Sequence, residues 1–199
     1  MPLRREHPLE LIKRFTRNDP ELQQRISELM IEVNFKRGDR ITGQSQLSRS
    51  AFYILKGAAR VCYMRKEKEN TFSFAFENEF VMLSRRLLSE ADSTLSIEFL
   101  EPTTVLTMKM EAIGDELERS GKVEFTAATV FLNAALHNVA LYLEERLLQF
   151  QKASARERFD WAISRYPRLL DVATGTQLAS FLGIAKETLY RLRADSYPG

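Results

Sequence analysis

The spacing of apolar residues changes from a strand pattern to a helical pattern in the second half of this 199-residue chain, and the change limits the folds open to it. Between Ile31 and Met110 they lie in short stretches rich in valine, isoleucine, phenylalanine, tyrosine and threonine, with turn-forming residues between the stretches. From Glu111 onward they recur every three or four residues, which is the spacing of one face of a helix. The order predicts an α+β chain in which strands come first and helices follow.

Strands are predicted in four stretches, namely VNFKRGDRI, AFYILKGAARVCYM, NTFSFAF and TLSIEFLEPTTVLTMKM. Short strands at regular intervals, with turns between them, predict an antiparallel sandwich or barrel. A helix is predicted in front of them, because Asp19 suits an N-cap and Pro20 suits the first helical position.

A long helix is predicted in EFTAATVFLNAALHNVALYLEERLLQFQ. Its apolar residues alternate at intervals of four and three, which is typical of a coiled-coil seam. We therefore expect a homodimer whose interface uses Phe125, Leu132, Leu136, Val139, Leu143 and Phe150. The alternative is a helix that covers the core of its own domain. Its length of about 27 residues, roughly 40 Å, favours the dimer, because a small barrel needs less cover.

A pair of short helices joined by a glycine turn is predicted in TGTQLASFLGIAKETLYRLR. Thr174 and Gln177 form the pattern of a capping box, and Gly183 supplies the positive φ that a tight turn requires. The second helix would bury Leu189 and Leu192. Its outer face would consist of Lys186, Glu187, Tyr190 and Arg191. This layout is typical of a helix-turn-helix, whose second helix enters the major groove of DNA.

The sequence resembles the Crp/Fnr family of bacterial transcription regulators over nearly its whole length. The similarity to the family's cyclic-nucleotide-binding β-roll lies in FKRGDRI and FYILKGAARV, and the similarity to its recognition helix lies in GIAKETLYRLR. The resemblance implies a homodimer that binds an inverted repeat in double-stranded DNA, with RNA polymerase as a further partner. It implies that Lys186, Glu187 and Arg191 read bases. It assigns phosphate contacts to Thr188, Thr174 and Thr176.

The stretch between the third predicted strand region and the start of the fourth departs from family members that bind cyclic AMP. Those members carry Gly-Glu early in a phosphate-binding cassette and Arg-Ser later. The corresponding positions here are Met82 and Leu83, and then about Ser93 and Thr94. Without the arginine, a cyclic phosphate would lose a charge-assisted hydrogen bond worth about 1.5–3 kcal/mol. We therefore expect no response to cyclic AMP.

Two arginines of the same cassette, Arg85 and Arg86, are candidates for binding a different anion. The alternative is that they are surface residues of a short helix, while Met82 and Leu83 fill the pocket with apolar side chains. The effector, if one exists, is an unknown small molecule.

Few residues are available for metal or enzyme chemistry. Cys62 is the only cysteine, and the two histidines, His7 and His137, lie outside the predicted strands. A four-cysteine iron–sulfur cluster is therefore excluded, and the histidine cluster that jelly-roll enzymes use for metals has no members. We expect no enzymatic activity, no metal and no internal disulfide.

The expected location is the cytoplasm. No apolar run reaches the roughly 18 residues of a membrane span, and a single cysteine suits a reducing compartment.

The expected organisation is a sensor domain over 1–122, a dimerisation helix over 123–150 and a helix-turn-helix domain over 151–199. The last of these carries eight basic and five acidic residues, a mild excess that suits DNA. Because only six residues follow Arg193, we expect no β-hairpin wing after the recognition helix. The alternative to a DNA-binding regulator is a β-roll module that binds a small molecule or a partner without any DNA function.

Overall fold

The computed structural model describes residues 19–83, 94–108, 122–152 and 154–196. Within these residues helix α1 comes first, eight strands follow, and the remaining helices come last. The elements are α1 (Pro20–Leu29), β1 (Met30–Phe35), β2 (Arg40–Ile41), a 3₁₀ turn (Gln46–Arg49), β3 (Ala51–Lys56), β4 (Ala59–Arg65), β5 (Lys68–Ala75), β6 (Phe80–Met82), β7 (Leu95–Phe99), β8 (Thr103–Met108), α2 (Lys122–Lys152), α3 (Ala155–Arg165), α4 (Leu169–Val172), α5 (Gly175–Leu182) and α6 (Lys186–Ser196). The predicted α+β order is confirmed.

The strands form two antiparallel four-stranded sheets, in the orders β1-β8-β3-β6 and β2-β7-β4-β5. This is the strand order of a jelly roll, and we call the pair of sheets the β-roll. Alternate residues of β3 face opposite sides, as the period of a strand requires. Phe52 and Ile54 lie in the core between the sheets, whereas Ala51 and Tyr53 lie in the cluster on the outer face.

Helices α1 and α2 cover that outer face. Tyr53 and Met108 from the sheet share one buried cluster with Ile26 of α1 and Phe131 of α2. The first half of α2 therefore does cover the core of its own chain, as the alternative interpretation of the long helix expected. The predicted start of α1 is confirmed, because the Asp19 carboxylate accepts a hydrogen bond from the Glu21 N–H at 3.0 Å.

Helices α3 to α6, which we call the head, share a second buried cluster with the β2-β7-β4-β5 sheet. Phe74 of β5 and Phe76 just after it pack with Tyr166 and Phe181 of the head. The Phe74 and Phe181 ring centroids lie 4.9 Å apart, and the Phe76 and Tyr166 rings are stacked at 5.0 Å. The head thus packs on the outer face of this sheet, in a cluster separate from the core between the sheets.

The turn between β3 and β4 depends on Gly57. Its φ is +107°, and a Cβ there would lie 2.5 Å from the Thr103 hydroxyl oxygen and 2.8 Å from the Pro102 carbonyl oxygen. Gly38 also has a positive φ, of +88°, but no atom lies within 4 Å of the position that its Cβ would take. A side chain at Gly38 would meet backbone strain alone, whereas a side chain at Gly57 would meet both strain and crowding.

We predict that Gly57→Ala lowers the free energy of unfolding by about 2–5 kcal/mol, because overpacking adds to left-handed strain. The matched control Gly38→Ala should cost only about 1–2 kcal/mol, from strain alone. Urea denaturation of the two variants measures the difference, and equal losses would contradict the crowding at Gly57.

Candidate nucleic-acid interface

The predicted helix pair is built by α5 and α6. The Thr174 hydroxyl accepts a hydrogen bond from the Gln177 N–H at 3.3 Å, and the Gln177 side chain accepts from the Thr174 N–H at 2.8 Å, so the capping box is present. Helix α5 ends at Gly183, which has φ 65° and ψ 39°. The Ile184 N–H then donates to the Ala179 carbonyl at 3.0 Å, which closes the turn.

The two helices pack through a small set of apolar side chains. Leu178, Ala179 and Leu182 of α5 are buried, as are Leu189 and Leu192 of α6. The small Ala179 lets the helix axes approach closely. This is the buried face that the sequence predicts.

The predicted reading residues lie on the opposite side of α6. Lys186, Glu187 and Arg191 are exposed, and the Tyr190 side chain is 58% exposed. The Tyr190 hydroxyl lies 3.4 Å from the position that a Cβ on Gly175 would take, so this side chain reaches the start of α5. The reading face is therefore continuous with the N-terminus of α5.

The three predicted phosphate contacts differ in exposure. Thr174 and Thr176 are exposed at the start of α5, whereas Thr188 is half-buried on α6. The Thr174 hydroxyl accepts the cap hydrogen bond, which leaves its own hydrogen to donate to a phosphate oxygen.

Two arginines hold the C-terminal end of α5. Arg146 of α2 donates to the Phe181 carbonyl at 3.1 Å, and Arg158 of α3 donates to the Leu182 carbonyl at 3.0 Å. The Arg146 guanidinium also lies 4.3 Å from the Phe181 ring centroid. Cations at the last carbonyls of a helix satisfy its unpaired acceptors and complement its dipole.

The edge of the β-roll is bonded to the head as well. Strand β5 lies at the end of its sheet, and the Thr71 N–H donates to the Ser180 hydroxyl of α5 at 3.0 Å. The Tyr166 hydroxyl donates to the Phe74 carbonyl at 3.2 Å. An edge strand that would otherwise present unpaired backbone groups is thereby covered.

Ion pairs complete the attachment of the head. Arg165 pairs with the buried Glu79 at 2.9 Å, and Arg168 pairs with Glu77 at 2.6 Å and with Glu101. Two of the basic residues that make the C-terminal part positive are thus neutralised by the β-roll. The charge count alone therefore overstates the positive charge that the head presents.

The residues predicted for the dimer seam of α2 differ in how far they are exposed. Leu132, Leu136 and Val139 are half-buried against the core of their own chain, and the Phe125 side chain lies outside the described part of the structure. The intervals of three and four residues also place Arg146 in the predicted seam, between Leu143 and Phe150, but its side chain donates to the Phe181 carbonyl of the head.

The apolar side chains of α2 that stay open lie towards its C-terminal end. Leu143 is 39% exposed and Leu147 is 58% exposed, and with Leu136 and the exposed Ala140 they lie at intervals of four, three and four. We call these four residues the exposed stripe. Phe150 is 40% exposed, and its ring lies 3.0 Å from the position of a Cβ on Gly183 of the head. Leu147 is not among the residues that the sequence predicts for the interface, because its 4-3-4 series is shifted by one residue from the predicted one.

The predicted effector pocket is described only in part. Met82 lines a cavity of about 220 Å³, Leu83 is fully buried in the core between the sheets, and Thr94 is exposed. Arg85, Arg86 and Ser93 lie outside the described residues.

One acidic cluster combines Cys62 with Glu69 and Glu98, whose candidate ligand atoms lie within 4.8 Å of one another. Arg40 and Arg60 each contact both carboxylates. The hydrogen bond from Arg40 is the main cause of the lowered pKa of Glu69, and burial raises the pKa of the Cys62 thiol. We interpret this cluster as an ion-pair network of the sheet, because its negative charge is already compensated.

Several solved structures of other proteins share this architecture. A c-di-GMP-responsive global regulator, CLP of Xanthomonas campestris, superposes with a TM-score of 0.62 at 13% identity, over 89% of this chain and 93% of that one. FixK2 of Bradyrhizobium japonicum gives 0.55 at 18% identity, over 83% of each chain. A Crp/Fnr-family transcriptional regulator of Eubacterium rectale gives 0.56 at 15% identity, over 89% of this chain and 83% of that one.

No protein-family model matches the sequence, and no curated protein matches it. The structural matches cover both the β-roll and the helices that follow it, so they define a jelly-roll domain joined to a C-terminal helical head. The chain has the Crp/Fnr-type cyclic-nucleotide-binding fold, as its sequence resemblance implies. Among the helices of the described residues, none is long and apolar enough to cross a membrane.

We predict that Arg146→Met loosens the head without unfolding the β-roll. Removal of a hydrogen bond from a charged donor costs about 1.5–3 kcal/mol, so the Thr71 amide should exchange with solvent about 10–100 times faster. Hydrogen exchange followed by NMR measures this at Thr71 directly, because its N–H is bonded to the Ser180 hydroxyl of the head.

The control is Arg65→Met, at an exposed position at the end of β4. Unchanged exchange at Thr71 in Arg146→Met would mean that the other contacts hold the head without this arginine.

Proposed function

We propose that this chain is a homodimeric, sequence-specific DNA-binding transcription regulator of the Crp/Fnr type. The observation that carries the proposal is the exposed polar face of α6, held on a capped helix-turn-helix. Arg and Lys suit the guanine O6 and N7 atoms in the major groove, and Glu suits the amino group of cytosine. Lys186, Glu187 and Arg191 offer this set from the first half and middle of the helix.

The phosphate contacts are proposed at the start of α5. Thr174 and Thr176 are exposed there, next to a helix N-terminus that favours anions. Such contacts would orient the head on the duplex, and the residues of α6 would then supply the sequence preference.

Dimerisation is proposed through the exposed stripe of α2. Ala140, Leu143 and Leu147 are exposed, and together with the half-buried Leu136 they lie at coiled-coil intervals. A parallel pair of these helices would carry two heads related by a two-fold axis. Two heads on a dimer select half-sites about one helical turn apart, in inverted orientation.

Cyclic AMP is not the proposed effector. Met82 and Leu83 are buried apolar residues at the positions where the cassette of responsive family members has Gly-Glu. RNA polymerase remains a predicted partner, as the family resemblance implies.

The first experiment is selection of bound duplexes from a random DNA pool by the purified protein. An enriched inverted repeat with the expected spacing supports the proposal. If no sequence is enriched, with or without a cell extract and small anions, the chain is a β-roll module without DNA function.

We predict that Arg191→Ala relaxes base preference at one position of each half-site and weakens specific binding by about 1–3 kcal/mol. Fluorescence anisotropy on the selected site and its single-base variants measures both effects. Arg156→Ala is the control, because that exposed arginine pairs with Asp160 on α3, away from the reading face. Uniform weakening on every sequence would show that Arg191 touches phosphate instead of a base.

We predict that Leu147→Glu converts the dimer to a monomer, because it places a charge in an apolar interface. Analytical ultracentrifugation measures the mass, and binding to the full inverted repeat should fall to the level of a single half-site. Leu148→Glu is the matched control, since Leu148 is 44% exposed but lies about 120° around the helix from Leu136. Dissociation by both changes, or by neither, would contradict an interface at the exposed stripe.

A further inference from the structure

A cation of the β-roll lies beside the proposed DNA-binding surface. Arg37 is in the turn between β1 and β2, and its side chain is exposed. Arg37 and Gly38 line a hollow of about 80 Å³, whose lining also includes Thr174 and Gln177, the two residues of the α5 capping box. The β-roll therefore places a positive charge next to the start of α5.

The turn that carries Arg37 is held by hydrogen bonds on both sides of this residue. The Asp39 carboxylate accepts from the Lys36 N–H at 2.7 Å, and the Asp39 N–H donates to the Lys36 carbonyl at 3.1 Å. The Gly38 N–H donates to the Phe99 carbonyl at 2.8 Å, which ties the turn to the end of β7. The side chain of Arg37 therefore extends from a fixed backbone position beside the head.

The carboxylates near the hollow have other partners. Glu98 lines the hollow, but it pairs with Arg40 at 3.2 Å and also with Arg60. The Asp39 carboxylate accepts from the backbone of its own turn. Within the part of the chain that the structure describes, no carboxylate forms an ion pair with Arg37. Its guanidinium is therefore available to an anion from outside the chain.

The reading face of α6 extends to the same part of the surface. The Tyr190 hydroxyl lies 3.4 Å from the position that a Cβ on Gly175 would take, and Gly175 follows Thr174 in the chain. Neighbouring residues thus connect α6 with the start of α5, and the start of α5 with Arg37 of the β-roll. Because phosphates form a continuous line of negative charge along DNA, a strand that contacts the exposed Thr174 passes close to Arg37.

We infer that Arg37 binds a phosphate of the DNA backbone beside the half-site that α6 reads, so that the β-roll forms part of the DNA-binding surface. The inference rests on the proposed function, because it requires α6 in the major groove. Arginine suits the contact, since its planar guanidinium can donate two parallel hydrogen bonds to phosphate oxygens. A phosphate contact orients the protein on the duplex and carries no base preference. Arg37 therefore adds affinity without adding specificity.

The first test is the salt dependence of DNA binding by Arg37→Gln. Each phosphate that a cation neutralises contributes about 0.9 to the slope of log K against log salt concentration. A dimer on an inverted repeat loses two such contacts, so its slope should become shallower by about 1.8, which is about 60-fold in affinity over a tenfold change in salt. The slope should change equally on the selected site and on its single-base variants. Arg37→Lys keeps the charge and should keep the slope.

The matched control is Arg65→Gln, which removes an exposed arginine from the other end of the same sheet. Ala59 pairs with Phe99 of the hollow, and Arg65 lies about 20 Å further along β4. The control should keep both the affinity and the slope. An unchanged slope in Arg37→Gln would overturn the inference. An equal change in both variants would overturn it too, because the effect would then come from net charge alone.

The position of the contact is found with duplexes in which one phosphate at a time is replaced by a neutral methylphosphonate. At one phosphate beside each half-site, the replacement should weaken binding of the wild-type protein and leave binding of Arg37→Gln unchanged, because the variant has already lost that contact. At phosphates contacted by the head, both proteins should lose the same factor. If every replacement affects the two proteins equally, Arg37 contacts no phosphate and the inference is wrong.

The outcomes separate this inference from the proposed function. If an inverted repeat is selected and Arg37→Gln binds it as the wild-type protein does, the regulator proposal stands and this inference fails. If no sequence is selected, but all duplexes are bound with a slope that becomes shallower in Arg37→Gln alone, the phosphate contact stands and the sequence-specific proposal fails. If the protein binds no duplex at any salt concentration, both fail.

Discussion

The outer side of strand β5 imposes the constraint on which the rest of the structure depends. Phe74, and Phe76 just after the strand, present aromatic surface outward at the edge of a sheet, where an apolar face and unpaired backbone groups both need cover. The head supplies that cover with Tyr166 and Phe181, and with the Ser180 hydroxyl that accepts from the Thr71 N–H. The head is therefore held by the sheet of its own chain, and the polar face of α6 is left exposed.

Helix α2 has apolar side chains on two opposite sides. One side packs on the β-roll through Phe131, Ala134 and Ala135, while Leu143 and Leu147 on the other side stay open. Arg146 lies between the two sides and takes its partners from the head. Helix α2 therefore contacts the β-roll, the head and the proposed partner helix. A small rotation of α2 would change its contacts with all three.

Local signals in the sequence predicted local structure well. Asp19 with Pro20, Thr174 with Gln177, and Gly183 each act within a few residues of themselves, so their helix ends could be predicted without the fold. The pairing of Arg165 with Glu79 joins residues 86 positions apart, and only the jelly-roll topology brings them together. For the same reason the seam was predicted with Arg146 as an interruption, when in the structure that arginine points at the Phe181 carbonyl.

The chemistry of the attachment is suited to an equilibrium rather than to a permanent bond. A buried ion pair such as Arg165–Glu79 offsets a large desolvation cost with its Coulomb attraction and adds little net stability. If the head undocks, the Coulomb energy of this pair is lost, but part of that loss is offset because both charges are hydrated again. The aromatic contacts of Phe74 and Phe76 stabilise docking without specifying it, whereas the ion pairs and the Arg146 hydrogen bond specify one orientation.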